Sequence, residues 1–204
     1  MKKLFFIILF TSLTIFSFGQ QRPSKVDSIL FSLVNSFRDS LGIQKLTWDT
    51  NLYKAAQYHS EYLIKCPLVL HQDKIDTNIF ETDSVDSHSE TVNIKDFKNL
   101  KKVRDRFNKF MSNLKGLYCT ENIAEGTFAF TYKKQTDLEI ANHIFNMWLN
   151  SLPHKKNMLD PRLRFSACCT KSEYIYLVDE YLNGAEKKIR VLYTYSTIDF
   201  YTPQ

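Results

Sequence analysis

Histidines and carboxylates are the residues of this sequence that offer the widest choice of chemistry. The 204-residue chain has five histidines, at His59, His71, His88, His143 and His154. Two imidazoles and a carboxylate that converge in a cleft can bind a divalent cation such as Zn²⁺, with water completing the coordination shell. Water bound to such a cation is acidified, so the same set can support hydrolysis. The three groups can instead hold one another by hydrogen bonds and bind nothing.

The four cysteines give little support for covalent catalysis. A cysteine nucleophile needs a nearby base, and neither Cys168 nor Cys169 lies beside a histidine in the sequence. The chain also has no serine nucleophile elbow, no phosphate-binding loop and no Cys-x-x-Cys motif. We therefore assign no catalytic residue from these motifs.

The N-terminus has the order of segments that a secretory signal shows. Lys2 and Lys3 precede an apolar run from Leu4 to Phe18, and small and polar residues follow this run. The run is shorter than the roughly 20 residues that a membrane-spanning helix needs, and no later stretch is continuously apolar for that length. We therefore expect residues 1–20 to be removed as a signal peptide. The mature protein is then secreted or periplasmic, without stable insertion in a membrane.

The size and charge of the mature chain indicate how many domains it has and which kinds of partner it can bind. Removal of the leader leaves about 180 residues, which is the usual size of one domain. The formal charge falls from +5 to +3 when Lys2 and Lys3 are lost, and acids and bases are interspersed along the rest of the chain. Nucleic acid is therefore not an implied partner.

Apolar residues spaced by three and four positions predict two helices near the N-terminus. The first begins after the N-cap candidate Ser24 and ends at Gly42. The second begins after Asp49 and ends before Pro67. Residues 72–102 are rich in Asp, Ser, Thr and Asn and show no sustained period, which predicts a long polar insertion at the surface.

Two further helices are predicted in the middle of the chain. The apolar pattern resumes at Val103 and ends at Gly116. A capping box of Thr136 and Glu139 then precedes another apolar face, and this helix must end near Pro153.

The last quarter of the chain is rich in residues that favour strands. Three segments, 165–170, 174–182 and 189–198, show this character, and turn residues around Asn183 and Gly184 separate the last two. They predict antiparallel strands, of which the last pair forms a hairpin. Helices followed by strands, without a regular βαβ alternation, predict the α+β fold class.

Six short motifs in a fixed order resemble the landmarks of a known family. They are Asn35 and Arg38 before Leu41-Gly42, Leu46 to Asp49, Ala55 to Ser60, His71 after a short apolar link, Glu121 to Gly126, and Trp148 to Leu159. Each motif alone is weak, but their shared order makes the chain similar to the bacterial type of the CAP superfamily. This superfamily comprises cysteine-rich secretory proteins, antigen 5 and pathogenesis-related proteins. The resemblance implies one CAP, or SCP-like, domain over residues 24–201.

The resemblance also implies an α-β-α sandwich with a central cavity lined by His and Glu side chains. Carried over by position, His71 and His154 are the two cavity histidines and Glu121 is one of the acids. Ser151 stands where many eukaryotic members have a second Glu, so the set is reduced. His88 is the alternative to His71, because His-Ser is common at this position in relatives, although the distance from the second helix favours His71. His59, on an apolar helix face, is expected to be packed and hydrogen-bonded rather than a ligand.

Two interpretations of the cysteines remain open. The neighbours Cys168 and Cys169 point to opposite faces of a strand and so do not pair with each other. Cys66 and Cys119 each precede a segment that the resemblance places around the cavity, so they are the favoured disulfide in an exported protein. The alternative is that all four are buried thiols.

Binding is favoured over catalysis, because no general catalytic activity has been agreed for the family. We expect an exported binding or interaction module whose cleft of His71, Glu121, His154 and Ser151 accepts Zn²⁺, another divalent cation or a small ligand. One alternative is a metal-assisted hydrolase of peptides or esters that uses the same cleft. Another is a carrier of a lipid or sterol in an apolar groove. The partner in these interpretations is a small ligand, a lipid or a protein.

Overall fold

The computed structural model describes residues 22–65, 102–111, 118–129, 134–182 and 185–203. Five helices and four strands lie within these ranges. The helices are α1 (Lys25–Ser40), α2 (Thr50–Lys65), α3 (Val103–Phe110), α4 (Asp137–Asn150) and α5 (Leu152–Leu159). The strands are β1 (Thr47–Trp48), β2 (Tyr118–Ala129), β3 (Phe165–Leu182) and β4 (Ala185–Thr202). The predicted polar insertion lies almost entirely outside the described residues.

The first predicted helix is confirmed, and a capping box fixes its start. The Ser24 side chain accepts a hydrogen bond from the Asp27 N–H at 3.1 Å, and the Asp27 carboxyl accepts one from the Ser24 N–H at 2.9 Å. Asp27 is fully buried and also accepts the N–H of Thr170 in β3 at 2.6 Å. Gly42, with a φ of 68°, lies in the turn after the helix. The carboxyl that caps α1 therefore also attaches it to the sheet.

Two polar motif residues of α1 have structural roles. The Asn35 side chain donates to the Leu46 carbonyl at 3.0 Å and accepts from the Leu46 N–H at 2.7 Å. Arg38 is fully buried, and its guanidinium donates to the carbonyls of Gln44, Met158, Asp160 and Leu163. These bonds fix the segment before β1 and the segment after α5 against the same helix.

The capping box of the fourth predicted helix is confirmed. Thr136 and Glu139 cap α4 reciprocally, and the helix ends at Asn150, before Pro153 as expected. A further helix that the pattern did not indicate, α5, begins at Leu152 and carries Pro153 in its first turn. Proline is tolerated there because the first N–H groups of a helix have no partner within it.

One four-stranded sheet of order β1-β3-β4-β2 occupies the described residues. The predicted C-terminal hairpin is confirmed as the antiparallel pair β3 and β4, and β2 adds to β4 antiparallel. Segments 165–170 and 174–182 form one strand rather than two, because the polar residues Lys171 to Glu173 between them continue to pair with β4. β1 pairs in parallel with β3, so the sheet is mixed, whereas the sequence predicted only antiparallel pairing.

Helices cover both faces of this sheet. α1, α4 and α5 pack on one face around Trp148, and α2 and α3 pack on the other around Phe107. Cys168 belongs to the first core and its neighbour Cys169 to the second, as expected for adjacent strand residues. The fold is therefore the expected α+β class, with the α-β-α layers that the resemblance implied. None of the described helices is long and apolar enough to cross a membrane.

The described cysteines are all free thiols, namely Cys119, Cys168 and Cys169. Cys119 is half-buried and packs against the core beneath α2 and α3. Burial raises the pKa of its thiol, which favours the protonated form. The suggested disulfide between Cys66 and Cys119 is therefore not formed in this structure, and Cys66 itself lies outside the described residues.

Candidate functional site

The motif acid Glu121 lies in β2, where it is sealed from solvent. Its side chain is directed to the face of the sheet that α2 and α3 cover, and the residue is 5% exposed. β2 pairs with β4 in a register that sets Glu121 opposite Asp199. The sheet therefore brings two acidic residues together inside the protein, where an isolated negative charge is costly.

A guanidinium from α3 neutralises this acid. Arg106 is fully buried, and its Nη2 donates to Oε2 of Glu121 at 2.5 Å. The other carboxylate oxygen, Oε1, lies 4.0 Å from Nε2 of His59, which is also fully buried. His59 stacks in parallel on Tyr62, one helical turn further along α2, with ring centroids 6.1 Å apart. Glu121 is therefore surrounded by side chains from both helices of this face.

Asp199 completes this group, which we call the Glu121 cluster: Glu121, Arg106, His59 and Asp199. Asp199 is fully buried, and neither of its carboxyl oxygens accepts a hydrogen bond from any donor within the described ranges. Burial, and then the negative charge of Glu121, raise the pKa of Asp199 well above its ordinary value, although Arg106 acts in the opposite direction. A protonated Asp199 can donate to Glu121, which leaves one carboxylate to balance one guanidinium.

The Asn that follows Glu121 makes contact with α5 on the other face of the sheet. The Asn122 amide donates to the carbonyl of His154 at 3.0 Å, and Asn157 donates to the Asn122 side chain at 2.9 Å. The Asn157 side-chain amide also donates to the backbone carbonyl of Glu121 at 3.2 Å. The Glu-Asn and His-x-x-Asn motifs therefore meet through amides and backbone carbonyls.

The predicted cleft is only partly within the described residues. Glu121 is buried as stated, His154 is half-buried near the start of α5, and Ser151 lies half-buried between α4 and α5. His71 and His88 lie outside the described residues, so the choice between them stays a prediction. His59 is packed in the core, as expected.

The sequence analysis did not identify Arg106 or Asp199 as residues of the candidate site. Arg106 follows Val103 by one helical turn and precedes Phe107, so it lies within the apolar face of its helix. A charged residue inside a face predicted to be buried is a usable signal of a buried ion pair. Asp199 gave a similar signal, because this charged residue directly follows the predicted strand 189–198.

The described side chains fit a metal ion poorly. Among them, no group of three or more His, Cys, Asp or Glu residues is arranged to hold a metal. The Glu121 carboxylate already accepts a hydrogen bond from a cation, the guanidinium of Arg106. The structure therefore supports no reaction step through a metal at Glu121.

A separate open groove lies beside the N-terminal half of α1, the end of β1 and the first residue of α2. Its volume is about 440 Å³, within the range of small-molecule sites. Phe31 and Trp48 form its aromatic floor, with ring centroids 5.1 Å apart in an edge-to-face arrangement. The remaining lining residues are Arg22, Pro23, Ser28, Ser32 and Thr50.

Residues 31–174 match the CAP family, described as the cysteine-rich secretory protein family. This match covers more than half of the chain, so the protein belongs to the CAP family. A search of curated proteins gave no match.

Solved structures with a similar fold come from three bacteria. An extracellular protein with an SCP domain from Bacillus anthracis is 18% identical with a TM-score of 0.46, over 85% of this chain and 40% of that protein. An outer surface protein from Borrelia burgdorferi is 17% identical with a TM-score of 0.47, over 90% of this chain and 97% of that protein. A cysteine-rich secretory protein from Staphylococcus aureus is 14% identical with a TM-score of 0.44, over 89% of this chain. This chain spans 40% of the length of the first and third of these proteins.

Proposed function

We propose that this chain is an exported CAP-domain binding module that takes a small amphipathic anion in the groove beside Trp48. Export is supported by the leader that begins with Lys2 and Lys3. The observation that carries the proposal is the groove itself, in which an aromatic floor is combined with one cation, Arg22.

The aromatic floor suits an apolar ligand body. Phe31 and Trp48 are both half-buried, so each presents part of its ring to the groove. Tyr53 lies against Trp48 with ring centroids 5.5 Å apart, which holds the indole in place. A side chain fixed in this way loses little conformational freedom when a ligand packs on it.

The charge at the groove favours an anionic head group. Arg22 is an exposed cation among the lining residues, and the groove contains no acidic side chain among its described lining. A guanidinium pairs readily with a carboxylate or phosphate. A short fatty acid combines both features, and it belongs to the lipid class that the family resemblance already suggested.

Hydrolysis has less support than binding. A general base must reach a substrate proton and be free to accept it, whereas Glu121 is 5% exposed and paired with Arg106. We therefore expect no turnover of peptide or ester substrates. A turnover that disappears in Glu121→Gln, while that variant remains folded, would establish the hydrolase instead.

The two tryptophans allow a direct binding test by fluorescence. Trp148 is fully buried and Trp48 is half-buried in the groove, so Trp148→Phe leaves only the reporter of interest. Decanoate, titrated below its micelle concentration, should change the emission of Trp48 in a saturable manner. Its methyl ester, which lacks the charge, should bind more weakly.

A matched pair of charge variants separates the groove from general electrostatics. Arg22→Gln should weaken decanoate binding by about tenfold, the loss expected for one charged hydrogen bond. Lys156→Gln removes an exposed charge from α5 and should leave binding unchanged. Equal effects of both variants, or the absence of any saturable signal, would show that this groove is not the ligand site.

A further inference from the structure

The groove beside Trp48 is built from separate elements of the fold. Its wall of Ser28, Phe31 and Ser32 belongs to α1, and Trp48 is the last residue of β1, which pairs with β3. The ring of Tyr53, from α2, lies against the indole with ring centroids 5.5 Å apart. A site made in this way keeps its shape only if α1, α2 and β3 are fixed relative to one another.

One buried carboxylate contacts all three of these elements. Asp27 accepts the N–H of Ser24, before the first turn of α1, at 2.9 Å and the N–H of Thr170, in β3, at 2.6 Å. The hydroxyl of Tyr53, in α2, donates to the same carboxylate at 3.3 Å. Asp27 precedes Phe31 by one helical turn and is not itself a lining residue of the groove. It therefore lies behind the groove, at the point where the elements that form it meet.

A helix cap by itself does not require a buried carboxylate. The capping box of α4 uses Glu139, which is exposed to solvent, whereas the corresponding residue of α1, Asp27, is fully buried. Burial of an acid costs free energy unless polar groups of the protein replace the water that it loses. The burial of Asp27 therefore indicates a role beyond the capping of α1.

The neighbours of Asp27 are arranged as donors to its carboxylate. Burial raises the pKa of Asp27, whereas the hydrogen bonds from Ser24 and Thr170 act in the opposite direction. Burial also raises the pKa of Tyr53, and the nearby Cys169 and Asp27 add to this effect, so the phenol keeps its proton. The protonated phenol donates to the carboxylate that also holds α1 and β3. Tyr53 therefore connects Asp27 to the aromatic floor of the groove.

We propose that Asp27 is a positioning residue of the groove, which holds the α1 wall and the indole of Trp48 in one arrangement before a ligand arrives. A wall and floor that are already ordered lose little conformational freedom on binding, so this arrangement strengthens the affinity for a ligand. The inference rests on the proposed function for the identity of the ligand. The position of Trp48, however, is measurable in the protein without any ligand.

Acrylamide quenching of Trp48 tests the proposal without a ligand, in a Trp148→Phe parent that has no other tryptophan. Tyr53→Phe keeps the ring but removes the hydroxyl that donates to Asp27, so the indole should become easier to quench. Tyr118→Phe is the matched control, because it removes a hydroxyl that donates to another aspartate at 2.8 Å, from the strand at the opposite edge of the sheet. It should leave the quenching unchanged. If Tyr53→Phe is quenched no more than its parent, the proposal fails.

A second variant tests whether the effect passes through Asp27, because the Tyr53 hydroxyl also interacts with the thiol of Cys169. Asp27→Asn keeps the size of the side chain but presents an amide N–H to one of its donors, so it should also increase the quenching of Trp48. Adding Tyr53→Phe to Asp27→Asn should then produce little further change. A full additional effect would contradict the proposal. If Asp27→Asn does not fold, Cys169→Ala replaces it, and quenching equal to that of Tyr53→Phe would overturn the proposal.

Decanoate binding, followed by Trp48 emission in the same parent, separates positioning from general stability. Tyr53→Phe should raise the Kd about fivefold, the loss expected for one hydrogen bond. Thr136→Ala removes the cap of α4, a helix that contributes no lining residue to the groove, and should lower Tm without changing the Kd. A Kd that follows Tm in both variants would show a merely structural role and overturn the proposal. If the parent gives no saturable signal, decanoate is the wrong ligand and the proposed function fails, whereas the quenching results still decide the role of Asp27.

Discussion

Two glutamates of strand β2 are stabilised in different ways, although they lie on the same face of the sheet. Glu121 is 5% exposed and paired with the guanidinium of Arg106. Glu125 lies four positions further along, is exposed, and accepts hydrogen bonds from the hydroxyls of Tyr193 and Tyr195, the latter at 3.0 Å. One acid therefore has a full counter-charge and the other has two neutral donors.

The difference follows from the access of water. Water can stabilise the exposed Glu125, so hydroxyl groups are sufficient to orient it. Burial raises the pKa of Tyr193 and Tyr195, and the Glu125 carboxylate adds to this effect, so both phenols remain protonated donors. Because Glu121 is only 5% exposed, water solvates its carboxylate little, and the negative charge has to be balanced by a group of the protein.

The largest expected effect is the loss of stability in Glu121→Gln. Glu125→Gln, which removes the charge of the exposed glutamate, is the matched comparison. Glu121→Gln removes the carboxylate that pairs with the buried Arg106 and should cost about 3–5 kcal/mol of unfolding free energy. Glu125→Gln keeps an acceptor for the two phenols and should cost less than about 1 kcal/mol. Urea unfolding at neutral pH measures both values. Equal losses in the two variants would show that burial does not distinguish the two sites.

The local structure around these glutamates was more predictable than their partners. The N-cap at Ser24 and the capping box of Thr136 and Glu139 were visible in the sequence, because capping involves residues only three positions apart. β2 was not predicted, because the Glu121 to Gly126 motif mixes polar and small residues and depends on β4 for its pairing. A strand that forms because it pairs with another strand, rather than because of its own alternation of apolar and polar residues, is difficult to recognise in the sequence.

The partners themselves depend on long-range register. Glu121 meets Asp199 only because β2 pairs with β4 in one particular alignment, and a shift of one residue would move either side chain to the other face. Arg106 reaches Glu121 from a helix outside the sheet. The sequence therefore indicated the importance of Glu121 through a motif, while the identity of the residues around it required the fold.

A substitution at Asp199 sharpens the comparison through pH. The pKa of Asp199 is raised in the folded protein by burial and by Glu121, so folding takes up a proton at this group once the pH exceeds its ordinary value of 3.8. Its contribution to stability is thus fully present below that value and declines as the pH rises towards the folded pKa, by up to about 1.4 kcal/mol per pH unit. Asp199→Asn keeps a donor towards Glu121 without this proton requirement.

We therefore expect Asp199→Asn to be more stable than wild type at pH 7, with a difference that shrinks as the pH is lowered towards 4. Urea unfolding at several pH values gives both curves. A variant that is less stable than wild type at every pH would mean that Asp199 is ionised in the folded protein, and that Arg106 balances two carboxylates rather than one.

The smallest expected effect concerns a third acid, which has a charged partner like Glu121, but one that is exposed to solvent. Asp160 accepts hydrogen bonds from Arg162, whose side chain is 63% exposed, and from the hydroxyl of Tyr118 at 2.8 Å. Hydrogen bonds from Arg162 lower the pKa of Asp160 to about 2. The stability that this carboxylate contributes is present above its ordinary pKa and is lost as the pH falls towards 2.

Because water and salt screen the pair, Asp160→Asn should lower Tm only slightly at pH 7, and about 1 M NaCl should remove the difference. The loss in Glu121→Gln should persist in the same salt, since the buried pair is inaccessible to ions. A salt-resistant loss at Asp160 would show that a charged partner, rather than burial, determines the strength of these ion pairs.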